Sequence, residues 1–154
     1  RGLGDVYKRQ EMSLPLVEEI ARTGKILAFH IGTDAYEATH PYRLAKIAKQ
    51  FPETQILCVH MGGVAFHDLS DTAIETAQEC PNITLVGSGV RAVNILKAIQ
   101  ILGAERVCFG SDTPFAMMHV ELAMYQALMR DQVSVKDQTL VLGGNIQRLL
   151  KICD

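Results

Sequence analysis

Several things are scarce in this chain, and each scarcity removes a class of answer. No apolar run approaches the ~18 residues that a membrane-spanning helix needs, and no signal peptide is legible at the start. Lysine and arginine are scattered, with a net charge of −2 and no basic stripe, so nucleic acid and anionic membrane are poor partners. The four cysteines, Cys58, Cys80, Cys108 and Cys153, form no C-x-x-C pair. Two of them fall inside apolar runs, where cysteine behaves as a small buried hydrophobe, which fits a reduced cytoplasmic compartment. No linker, low-complexity stretch or interior charge block divides the chain. What remains is 154 residues with 48% hydrophobic content, enough for one domain with its own core.

The first ten residues, RGLGDVYKRQ, stand apart. Asp5 to Gln10 resembles the translated end of a transposon used in sequencing libraries, so residues 1–10 are read as an adapter-derived scar. The expectation is that residues 11–154 are the C-terminal fragment of a longer protein. The absence of a signal peptide carries little weight on that reading.

Four short apolar runs read as strands: Ile26 to Phe29, Ile56 to Val59, Ile83 to Val86 and Arg106 to Ser111. Continuous runs of this kind suggest burial on both faces, the habit of parallel sheets in α/β proteins. Between them lie amphipathic stripes. Leu44, Ile47, Ala48 and Phe51 fall at i, i+3, i+4 and i+7, as do Ala92, Ile95, Leu96 and Ile99. Pro15 and Pro41 suit the first turn of a helix, and Gly24 and Gly103 the C-terminal end. Strand ends recur every ~25 to 30 residues, the period of a βα unit. Four βα units follow, with parallel strands in sequence order. After them come a stripe of Val120, Ala123, Met124, Ala127 and Leu128, then a break at Gly143-Gly144-Asn145 that caps a last helix faced by Ile146, Leu149, Leu150 and Cys153.

Three strand candidates end in metal-type side chains: His30, His60 and Asp112. Parallel α/β sheets place their chemistry at that edge. Zn²⁺ or Mn²⁺ takes imidazole nitrogen and carboxylate oxygen, and His30 with Asp112 supplies one of each. Asp112 also suits a proton shuttle between a water and a leaving group. His60 lies between them in strand order, either as a ligand or as a hydrogen-bond donor to a polarised carbonyl, and Gly62 and Gly63 after it would let substrate approach the backbone. Any one of these residues alone is more simply a turn residue; their coincidence at equivalent strand ends points to a shared site, with the three side chains within several ångströms.

Other candidates are weaker. Ser88 and Arg91 follow the third strand and face the same rim as candidate substrate-binding residues, and Arg91 could anchor a substrate carboxylate as a bidentate donor. Asp34 and Glu37 are read as solvated, His40, His67 and His119 as surface or capping residues, and Met117, Met118, Met124 and Met129 as packing.

The runs FHIG at residues 29–32, FPETQILCVHMGG at 51–63, CPNITL at 80–85, RVCFGSDTPF at 106–115 and GGNIQRLL at 143–150 together resemble the C-terminal half of the metal-dependent amidohydrolase-related proteins. The branch in question contains 2-amino-3-carboxymuconate-semialdehyde decarboxylase. The resemblance implies a (β/α)₈ barrel of the TIM type, with His30 as the ligand from the fifth strand, His60 as a catalytic or ligating residue from the sixth, and Asp112 as the acid/base ligand from the eighth. The family's H-x-H pair has no counterpart in these residues. The implied parent is a cytoplasmic enzyme holding one divalent ion, Zn²⁺ first and Mn²⁺ second. It would hydrolyse an amide, lactone or related carboxylic derivative, or decarboxylate a carboxylic acid, and the fragment alone would be inactive. The alternative is a non-catalytic α/β module that binds a small molecule or partner at the same edge. Open apolar edges at Ile26 to Phe29 and Val107 to Phe109 would further invite homo-oligomer formation.

Overall fold

The structure is a computed structural model that describes residues 10–32, 39–63 and 68–152. Asp34, Glu37, His67 and Cys153 therefore lie outside the described residues, as does nearly all of the segment read as a scar. Among the described residues, no helix is long and apolar enough to cross a membrane.

Four parallel strands form one sheet in the order β1 (Leu27–His30), β2 (Ile56–Val59), β3 (Ile83–Val86) and β4 (Val107–Cys108). Leu27 pairs with Ile56, Ile56 with Ile83 and Leu85 with Val107, so the carboxyl ends of the first three strands are level. The helices are α1 (Gln10–Arg22), α2 (Pro41–Gln50), α3 (Ser70–Glu79), α4 (Ala92–Leu102), α5 (Met118–Met129), α6 (Val135–Thr139) and α7 (Asn145–Leu150). The parallel sheet in sequence order follows from the pattern of short apolar runs separated by helical stripes.

One face of the sheet is packed. Leu27, Phe29, Ile56, Cys58, Ile83, Leu85 and Val107 join Leu44, Ile47 and Ala48 of α2, Ala73, Ile74 and Ala77 of α3, and Ile95, Ala98 and Ile99 of α4 in a single core. The expectation of burial on both faces holds for β3 and β4, where Thr84 and Cys108 on the opposite face are buried as well, and fails for β1 and β2. Along β1 the pattern alternates, with Ala28 exposed and His30 half-buried, and Leu57 and Val59 of β2 are half-buried too.

The helix boundaries correct the sequence reading in several places. Pro41 opens α2 and Gly103 ends α4 with φ +88°, as their conformations favour. Pro15 instead lies at the sixth position of α1, beyond the first turn, where it forgoes one helical hydrogen bond. The buried side of α5 is centred on Tyr125 and Met129, both fully enclosed, with Met124 and Leu128 flanking them. Val120, Ala123 and Ala127 of the expected stripe face outward, and so do Met117 and Met118, which do not pack. The buried face is turned one position from the expected stripe, in a helix where nine of twelve residues are apolar.

The largest difference is at Gly143-Gly144-Asn145. There is no break: α6 continues through a π-helical turn at Leu140–Gly144 into α7. Asn145 is fully buried and caps nothing; its Nδ2 donates to the carbonyls of Ala104 (2.7 Å) and Val107 (2.9 Å). Beside it the Phe109 N–H donates to the Val141 carbonyl at 2.8 Å. The outer edge of β4 is thus covered by a helix instead of lying open, which is one of the ways proteins blunt an edge strand. It also explains why β4 has two residues instead of the longer strand expected up to Ser111. Asn145→Ala should lower stability by about 3 kcal/mol, because two buried carbonyls lose their donor at once. A urea unfolding midpoint unchanged from wild type would contradict this.

Candidate functional site

Each strand delivers its side chain through a local backbone feature. His30 ends β1 on the Ala28 side of the pleat, the open face of the sheet. His60 leaves β2 in a left-handed conformation, φ +66°, and starts a turn over His60–Gly62 in which Met61 also has positive φ. Asp112 is left-handed as well, with φ +58°. Side chains other than glycine adopt this region rarely, with His and Asp among the tolerant ones, and such strain gathers at functional sites. Two of the three predicted residues carry it.

The glycines next to His60 have a different task from the one expected. A Cβ on Gly32 would lie 2.5 Å from the Gly62 backbone, and one on Gly62 would lie 2.7 Å from the Leu69 carbonyl. The ends of β1 and β2 therefore touch backbone to backbone, and Gly62 admits the protein's own chain, not substrate. Gly63 is likewise filled against Ser70 and Val90.

That contact brings the histidines together. The rings of His30 and His60 meet edge to face, with centroids 4.4 Å apart at 83°. His60 is nearly enclosed, and its Nε2 faces Asp112 Oδ1 at 3.9 Å. Its other nitrogen, Nδ1, lies 2.8 Å from the Ser88 carbonyl and 3.0 Å from Ser88 Oγ. A carbonyl can only accept, so Nδ1 carries a proton, and in the neutral ring Nε2 then presents a lone pair toward the carboxylate. In that form two lone-pair atoms face one another beyond hydrogen-bond reach. Only a proton or a cation placed between them makes that arrangement favourable.

The donor set fits a divalent transition ion. Imidazole and carboxylate are the ligands Zn²⁺ and Mn²⁺ take, and a histidine whose second nitrogen is tied to a backbone carbonyl is the usual supporting arrangement. No group of three or more His, Cys, Asp or Glu side chains is assembled as a cation site among the described residues.

The remaining candidates separate clearly. Ser88 is buried and holds His60, a supporting role that its place after the third strand does not reveal. Arg91 precedes α4 with its side chain largely exposed, 3.4 Å from Asp68. Asp68 also accepts from Asn94 and from the Ser70 N–H, and these contacts hold its carboxyl below the usual range against the opposing effect of burial. His40 caps α2, its Nδ1 accepting from the Tyr42 N–H, and partial burial and then Arg43 lower its pKa. His119 is exposed on α5. Burial pushes the Cys58 thiol up to about 12 and Cys108 up to about 11, so both strand cysteines stay protonated and inert.

With three strand ends, two histidines and a carboxylate converging on one edge, the comparison with known proteins is decisive. The sequence profile of the amidohydrolases matches residues 2–152. The chain belongs to the amidohydrolase family. No curated protein matches it by sequence. Among solved structures, it superposes on an uncharacterised TIM-barrel protein from Bordetella bronchiseptica with TM-score 0.77 at 19% identity, covering 90% of this chain and 50% of the other. A 5-carboxyvanillate decarboxylase from Sphingomonas paucimobilis gives TM-score 0.72 at 19% identity, covering 97% and 56%. A dihydroxybenzoic acid decarboxylase from Polaromonas sp. JS666, solved with bound manganese and the inhibitor 2-nitroresorcinol, gives 0.64 at 18%, covering 91% and 54%. At these identities the likeness establishes the fold. This amidohydrolase chain spans about half the length of the solved structures it matches, and its four parallel strands with their helices correspond to half of a TIM-type barrel.

Proposed function

We propose that the full-length protein is a metal-dependent enzyme acting at a carboxyl group, and that its reaction is the decarboxylation of a small carboxylic acid. The observation that carries this reading is the opposition of His60 Nε2 and Asp112 Oδ1 at 3.9 Å, with His60 held in one tautomer by Ser88. His30 and Asp112 would hold the ion, with an upstream H-x-H pair, implied by the resemblance, completing its ligands. A bound Zn²⁺ or Mn²⁺ would supply Lewis acidity toward a carboxylate or carbonyl oxygen. The chain's own residues manage the protons. His60, its Nδ1 proton anchored, orients a polarised oxygen or exchanges a proton at Nε2, and Asp112 exchanges one with substrate or water. Arg91, exposed and paired with Asp68 among the described residues, would be drawn onto a substrate carboxylate. Ser88 acts through His60.

Two of the similar structures are aromatic-acid decarboxylases, which supports carbon–carbon cleavage over hydrolysis. Hydrolysis of an amide, lactone or related derivative is the second reading, favoured by Asp112 being part-exposed, where water reaches it. A reduced cytoplasmic location suits the buried, unpaired Cys58, Cys80 and Cys108. The test is metal content by elemental analysis of the full-length protein, with CO₂ release from small aromatic and aliphatic acids followed beside turnover of lactones and amides. Release of CO₂ by the metal-loaded protein alone is the expected result. Absence of bound metal, or turnover indifferent to a chelator, would refute the reading.

A further inference from the structure

Tyr125 is the largest fully buried side chain in the described structure, and it is placed on the helix that follows Asp112. Its ring meets the edge of Phe109, with centroids 5.0 Å apart at 83°. Packing alone would be served by phenylalanine. The hydroxyl, however, runs to the carboxyl edge of the sheet, where it donates to the Gly87 carbonyl at 2.7 Å. The backbone of Gly110, the residue after Phe109, lies against that same hydroxyl. The hydroxyl therefore ties the end of β3 to the helix whose ring packs on the end of β4.

Both glycines adjoin the site. Gly87 precedes Ser88, whose carbonyl fixes the His60 proton, and Gly110 lies two residues before Asp112. The approach is close enough to exclude a side chain at either glycine. A Cβ on Gly87 would lie 2.2 Å from the Tyr125 hydroxyl, and one on Gly110 would lie 2.8 Å from Ser88 Cβ. Burial holds the phenol far above its ordinary pKa, so the hydroxyl keeps its proton and remains a donor at any working pH.

We propose that Tyr125 is a positioning residue for the His60–Asp112 pair, its hydroxyl setting the separation of the two side chains by holding the Gly87 end of β3 to the helix that packs on β4. The proposal rests on the site reading given above. It concerns the supports of the pair, not the ion, so it can be tested without metal.

The experiment is nitrogen NMR of histidine-labelled, metal-free full-length protein at fixed pH, comparing wild type with Tyr125→Phe and Phe109→Leu. Wild type should show His60 as one tautomer with its proton on Nδ1. Tyr125→Phe should give mixed tautomers, with that proton exchanging at least tenfold faster, about the effect expected when an outer support of a site is lost. Phe109→Leu loosens the same packing but keeps the hydroxyl, so it should lower the melting temperature and leave the His60 spectrum alone. A wild-type His60 spectrum in Tyr125→Phe, or the same change in both variants, would overturn the proposal. Should Tyr125→Phe not fold, fluorotyrosine placed at position 125 replaces it. Its fluorine resonance should move on His60→Gln if the clamp transmits, and an unmoved resonance overturns the proposal. Zn²⁺ alone, added to wild type, tests the underlying reading separately: no uptake there refutes the metal site and leaves the tautomer result standing.

Discussion

Asp112→Asn in the full-length protein should cut turnover by ~10²- to 10⁴-fold, the usual contribution of a positioned acid or base. The substitution isolates the carboxylate. Asparagine has nearly the same shape and keeps one oxygen, so some metal binding should survive. It also tolerates the left-handed backbone that Asp112 adopts, φ +58°, so the loop is not strained further by the change. What disappears is the charge facing His60 Nε2 at 3.9 Å and the group able to exchange a proton there. The variant should therefore melt near the wild-type temperature, retain part of its metal by elemental analysis, and fail in rate. Wild-type turnover in Asp112→Asn would remove this residue from the chemistry.

That Asp112 could be picked out at all reflects how much of this fold is written locally. The runs Ile56 to Val59 and Ile83 to Val86 are the strands observed, residue for residue, because both are apolar, partly β-branched and bounded by polar or turn-forming residues. Parallel order followed from the helices between them. Elements whose position depends on distant partners were harder to read. Helix α3 carries its core contacts on Ala73, Ile74 and Ala77 among threonines and serines, too small a stripe to stand out. Asn145, beside two glycines, has the composition of a cap, yet tertiary packing turns it into the donor that covers the β4 edge. The site divides in the same way. His30, His60 and Asp112 were visible because strand ends are visible. Their supports were not: Ser88 binds His60 across 28 residues and Tyr125 reaches Gly87 across 38, and no local pattern encodes such pairings.

His30→Ala should have a different signature, loss of metal before loss of anything else. The side chain projects from the end of β1 on the less covered face of the sheet, outside the main core, so alanine leaves the packed layer of Phe29, Ile31 and Leu44 untouched. The strand register with β2, in which His30 pairs with Val59 through backbone alone, is likewise unchanged. The only chemical group removed is the imidazole that packs edge-on against His60 and would donate to the ion. Losing an outer support of a metal site typically costs ~10- to 100-fold in affinity; losing a nitrogen that contacts the ion itself should exceed that. Elemental analysis after dialysis should find the variant largely stripped under conditions where wild type stays loaded. Adding excess Zn²⁺ or Mn²⁺ should restore part of the turnover, because the protein is short of affinity and not of its acid and base. A His30→Ala protein that keeps its full metal complement through dialysis would place His30 outside the coordination sphere, and the ion would then have to be held by His60 and Asp112.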